Sequence, residues 1–135
     1  MSQEGVDKLR RGYEVLNREG VDAALNLGFI DPDIVVRASQ DLPDTDIYPG
    51  HDGMRRLLGM FFETFDDVRL EPEEFRDLGD RYLVGVRMVG RGKGSSIPID
   101  QVIWHLWWEG SPGVATALQV FNDRDRALEA VSLSE

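Results

Sequence analysis

The stretch that most restricts the fold of this chain is residues 97–109, IPIDQVIWHLWWE. β-branched and aromatic residues dominate it, which favours a strand. Alternation then sends Val102, Trp104, Leu106 and Trp108 to one face and Gln101, Ile103, His105 and Trp107 to the other. Both rows are largely apolar, so neither can simply face water. A strand is usually about 5–6 residues long. One spanning 97–109 in a small domain must bend, and Pro98 is acceptable because it lies near the strand's start.

The rest of the chain shows what could cover such a sheet. Val6, Leu9, Tyr13 and Leu16 recur at helical spacing within 4–18, and Gly20 ends that helix. A short helix is expected at 21–27, closed by Gly28, and a strand at 33–39. The prolines and aspartates of 41–50 read as a loop. Residues 51–65 make the strongest helix, with Met54, Leu57, Leu58, Phe61, Phe62 and Phe65 on one face. The period then changes to two, giving strands at 67–77, 81–91, 97–109 and 114–121. A last helix follows, capped by Asn122 or Asp123. Consecutive strands joined by hairpin turns, after helices, imply an α+β fold with helices on one face of an antiparallel sheet. The 135 residues suit a single domain, 1–135.

Composition narrows the function classes. The chain has no cysteine, so disulfides and thiolate metal sites are excluded and a reducing compartment fits. Its first residues lack the apolar run of a signal peptide. No stretch reaches the roughly 18 apolar residues of a membrane span. A cytoplasmic protein is the expectation. The net charge of −10, with arginines scattered among acids, argues against nucleic acid and for a solvated surface. Two histidines without a carboxylate cluster give no case for a metal. GRGKGSS is a hairpin turn between strands, the wrong context for a phosphate loop.

Three segments carry a resemblance: GYEVLNREGVDAALNL…DPDIVVRAS, YPGHDGMRRLLGMFFETFDDVRLEPEEFRDLGDR and VIWHLWWEGSPGV…QVFNDRDRALEAVSL. Together they resemble the SnoaL-like branch of the nuclear transport factor 2-like superfamily, which has the cystatin-like α+β barrel fold of ketosteroid isomerases. The resemblance implies a cone-shaped curved antiparallel sheet wrapped around N-terminal helices, a pocket at the open end, and pairing back to back as a homodimer. In the steroid isomerases of that superfamily, the oxyanion tyrosine corresponds to Tyr13, seven residues before Gly20. Their oxyanion acid corresponds to His105, eight before Gly113. Their catalytic aspartate falls on Ala38 and their supporting tyrosines on Ile30 and Leu58. The donor positions keep polar groups while the base position does not, so that isomerase reaction is not expected. A limonene-type epoxide hydrolase would need an arginine between two inward carboxylates. Asp100 falls on the outward row, and no such trio is evident.

The expected site is therefore an apolar pocket with few polar anchors, taking a hydrophobic small molecule without a cofactor. Tyr13 as hydrogen-bond donor and His105 as acid/base are the catalytic candidates, suited to an isomerase, cyclase or dehydratase. Asn17, one turn from Tyr13, Gln101 and the loop residue Tyr48 are expected to add polar contacts. Val86, Met88, Ile103, Trp107, Leu118 and Val120 are expected as walls. Trp104, Leu106, Trp108 and Phe121 are expected on the outer face as the homodimer patch, because the chain offers no obvious element to cover them. The alternative is a non-catalytic dimeric ligand-binding or protein-association module of the same fold; in the association module Tyr13 and Trp107 would plug the cone.

Overall fold

The computed structural model describes residues 2–37 and 47–133. Its elements are α1 (Ser2–Glu19), α2 (Val21–Leu25), β1 (Ile30–Arg37), β2 (Ile47–Pro49), α3 (Gly50–Thr64), β3 (Phe65–Asp77), β4 (Arg81–Gly92), β5 (Pro98–Ser111), β6 (Val114–Phe121) and α4 (Arg124–Leu133). The four long consecutive strands and the flanking helices follow the sequence pattern closely. Ala38 lies outside the described residues.

The strands form one curved, unclosed sheet in the order β2-β1-β6-β5-β4-β3. Two features depart from the sequence reading. Residues 47–49, expected as loop, pair antiparallel with β1, Val36 opposite Tyr48. β1 runs parallel to β6, so the sheet is not purely antiparallel. Bulges interrupt β3 near Asp66–Arg69 and Pro72–Glu74, and β5 after Trp108. Bulges bend a strand and sharpen its twist, which is how strands this long curl.

Register explains the two faces of β5. One row across the sheet runs Val36, Leu118, Trp107, Tyr82, Asp77. The next inward row holds Val120, His105, Val84 and Phe75. These rows face α1–α3 and make the larger core with Leu16, Leu25, Met54 and Leu57. On the opposite face, Leu83, Trp104, Leu106 and Phe121 make a second core with Ala127 and Val131 of α4.

That second core corrects an expectation. The chain does own a cover for its outer face: α4. Trp104 is 6% exposed, Leu106 0% and Phe121 2% within the single chain. The fit is close, since the Trp104 indole lies where a Cβ on Gly85 would stand, and the Arg124 guanidinium sits 5.8 Å over its ring. Trp108 is half-buried and packs at the edge of this cluster.

Candidate functional site

Between α1–α3 and the inner sheet face lies a cavity of about 320 Å³. Its wall is overwhelmingly apolar, with Leu57, Leu58 and Phe61 from α3 facing Leu118 and Ile103 of the sheet. Tyr13 and His105 line it too, and they are joined. Tyr13 Oη lies 2.6 Å from His105 Nδ1, and Trp107 Nε1 donates to Tyr13 Oη at 3.1 Å. The Tyr13 and His105 rings stack with centroids 5.8 Å apart, and the Trp107 indole meets both edge-on.

Hydrogen-bond arithmetic assigns the protons. An indole N–H only donates, so Tyr13 Oη accepts from Trp107. If His105 Nδ1–H also donated to Tyr13, the phenolic proton would be left without an acceptor in a buried site, which costs about 1–3 kcal/mol. Tyr13 therefore donates to Nδ1, and His105 carries its proton on Nε2. That nitrogen has no partner among the described residues, yet it is not sealed in. Burial pushes His105 down to about 4, so its ring is neutral near pH 7. Burial raises Tyr13 above the ordinary phenol range, against a smaller lowering by the Trp107 bond.

This changes the roles read from sequence. Tyr13 has no proton left for a ligand, because it serves Nδ1. His105 lines the cavity, and its Nε2–H has no partner among the described residues. Its other nitrogen is occupied, so in this tautomer it is no base.

Tyr48, Ile103, Trp107, Leu118 and Val120 line the cavity, as read from the sequence. Four expected pocket residues do not. Both ends of the Asn17 amide are engaged by the Leu70 backbone at 2.9 Å, which ties α1 to β3. Val86 and Met88 face inward but are packed in the core, and Gln101 is exposed. Alternation gave their rows correctly. The cavity sits toward the Tyr82–Glu109 end of those strands, however, away from the 86–88 and 101 end. Carrying the same alternation to Tyr82 and Glu109 would have found two residues that the sequence reading missed. Lys8 of α1 and the α3 residues Leu57, Leu58 and Phe61 also line it and were not read as pocket residues.

Among the described lining residues, Glu109 is the one carboxylate and Lys8 the one ammonium. They flank the β5–β6 turn. Glu109 Oε2 accepts from Gly113 N–H at 3.0 Å, and Lys8 Nζ packs against the Gly113 α-carbon, where a side chain would clash. His51 accounts for itself structurally, its Nε2 being 2.9 Å from the Ile30 carbonyl. No group of three or more His, Asp or Glu suited to a metal occurs among the described residues.

The sequence resemblance implies a curved sheet wrapped around N-terminal helices; the structure has that curved sheet, unclosed, and direct comparison agrees on the fold. The profile of the SnoaL-like domain matches residues 9–112. The chain belongs to the SnoaL-like domain family. No curated protein matches it at a significant level. Solved structures do. A protein from Jannaschia sp. CCS1 described as a SnoaL-like polyketide cyclase superposes with a TM-score of 0.76 at 16% identity, over 97% of this chain and 93% of that one. An NTF2-like protein of unknown function from Burkholderia pseudomallei gives 0.72 at 19% identity, over 93% and 95%. TerC, co-crystallised with polyporic acid, gives 0.73 at 20% identity, over 93% and 95%. At such identities these likenesses establish the SnoaL-like, NTF2-like fold. The family match leaves this SnoaL-like domain's ligand to be argued from its own cavity.

Proposed function

We propose that this SnoaL-like domain binds a neutral, mostly hydrocarbon small molecule that presents one hydrogen-bond acceptor to His105. One observation carries the reading: the Tyr13 hydroxyl engages Nδ1 of His105, in the wall of an apolar cavity, and leaves Nε2–H of the neutral imidazole without a partner among the described residues. The volume falls at the small end of ligand pockets, which span roughly 300–1,000 Å³. The co-crystal of the similarly folded TerC with polyporic acid is consistent with a ligand in such a cone.

A neutral imidazole donor also stabilises negative charge building on a carbonyl oxygen. An isomerase, cyclase or dehydratase needs a base as well, and Glu109 is the carboxylate the described cavity wall offers. Among the described residues no group is placed to take a proton in concert with His105, so binding is the primary proposal. A pure association module is disfavoured by the open cavity, since Tyr13 and Trp107 hold each other against the wall rather than plugging it. We retain the homodimer as part of this proposal, but on the part of the outer face that α4 leaves uncovered. There Val102 is 43% exposed beside the Arg87–Asp100 ion pair.

The test is a pair of isosteric probes titrated calorimetrically, 2-acetylnaphthalene and 2-isopropenylnaphthalene. A hydrogen bond to a buried donor has a net value of about 1–1.5 kcal/mol, so the ketone should bind about tenfold tighter. Equal affinities, or no binding of either, refute the reading.

A further inference from the structure

The cavity face of α1 carries two glycines, Gly5 and Gly12, two helical turns apart. Glycine weakens a helix interior, so each needs a reason. Gly5 has one inside the protein. A Cβ there would stand 2.0 Å from the Tyr82 hydroxyl, which presses on bare α1 backbone. Gly12 has none. Its backbone is ordinary helix, and a Cβ built on it meets no atom of the described residues within 4 Å. No described residue fills the space in front of Gly12, and Gly12 lines the same cavity as His105, whose Nε2–H has no partner among the described residues and whose side chain is 6% exposed.

We propose that Gly12 determines which ligands this cavity accepts: a flat, conjugated ring lies with its face on the bare α1 backbone at Gly12 while its acceptor atom meets His105 Nε2–H. The inference rests on the small-molecule reading above and adds the shape of the ligand and the residue that selects it. Ring carbons reach van der Waals contact with a helix backbone only where no Cβ holds them off. A globular hydrocarbon cannot use that slot. Gly12 sits directly before Tyr13, so one turn of helix supplies both the seat for the ring and the hydroxyl that sets the His105 tautomer.

The experiment compares wild type, Gly12→Ala and Gly12→Leu with two ketones, flat 2-acetylnaphthalene and globular 1-acetyladamantane, by calorimetric titration and thermal unfolding. Gly12→Ala should raise the melting midpoint by about 2–4 °C through helix propensity. The same change should weaken the flat ketone at least fivefold, and Gly12→Leu should abolish its binding. Wild type should prefer the flat ketone over the globular one at least tenfold. If wild type binds the flat ketone and Gly12→Ala binds it equally well, the role of Gly12 is refuted while the cavity reading stands. If wild type binds both ketones alike, the flat-ring requirement is refuted. If wild type binds neither, the cavity reading falls and this inference falls with it.

Discussion

At the scale of single residues, the chemistry rests on who donates to whom around Tyr13. Tyr13→Phe would strip the acceptor from the Trp107 indole N–H and the donor from His105 Nδ1, leaving both buried groups unsatisfied. We expect a loss of roughly 1–3 kcal/mol in urea unfolding. We also expect the ketone's advantage over the hydrocarbon to shrink, because the imidazole tautomer is no longer imposed. His105 itself couples stability to pH. Its folded pKa, about 4, lies below the ordinary value of 6.5. Between those limits the unfolded chain binds more protons, so stability rises with pH through this window and falls as pH drops through it. The loss from this group is on the order of 3 kcal/mol by pH 4. Urea titrations at pH 7 and pH 4 should show it as a difference between wild type and His105→Phe, and parallel pH profiles would refute it.

At the scale of elements, alternation in the sequence was enough to divide β5. Ile103, His105 and Trp107 do look toward the helices, and Trp104 and Leu106 do look away. Alternation carries no information on how far along a strand the helices reach. For that reason it chose Val86 and Met88 over Tyr82 and Glu109. The three-residue β2 was illegible because its pairing with β1 is a tertiary fact. So was the use of α4, since helical spacing shows that a helix forms and not which surface it meets. Two tests belong here. Ala127→Asp would place a carboxylate at a fully enclosed α4 position against the outer core, and should destabilise the chain by several kcal/mol in urea. Unchanged stability would mean that α4 is not seated there. Gly85→Ala must displace the packed Trp104 ring, since its Cβ would lie 2.9 Å from ring carbons. A cost of about 1–3 kcal/mol should follow, together with a changed near-ultraviolet tryptophan signal.

At the scale of the whole molecule, α4 restricts where a second copy can dock. Trp104, Leu106 and Phe121 are already enclosed, so a partner would meet the strip around Val102, Arg87 and Asp100. There Arg87 and Asp100 form a two-pronged pair at 2.8 and 2.5 Å that keeps the Asp100 carboxyl below its usual range. Val102→Asp should shift sedimentation toward monomer. Each copy carries −10, so association should also strengthen with added salt as the like charges are screened. Wild type sedimenting as a monomer at micromolar concentration would remove the dimer.

The parallel seam between β1 and β6 has a consequence for how the chain matures. It joins residues 30–37 to residues 114–121, the first long strand to the last. Contacts so distant along the chain close slowly, because the intervening segment must be organised first. During synthesis, Ile34 and Val36 have the helices and β2 beside them, but β1 lacks its β6 edge until residues 114–121 have emerged. A chain ending before residue 114 has helices and hairpins in place, and its first strand has β2 along one edge and nothing along the other.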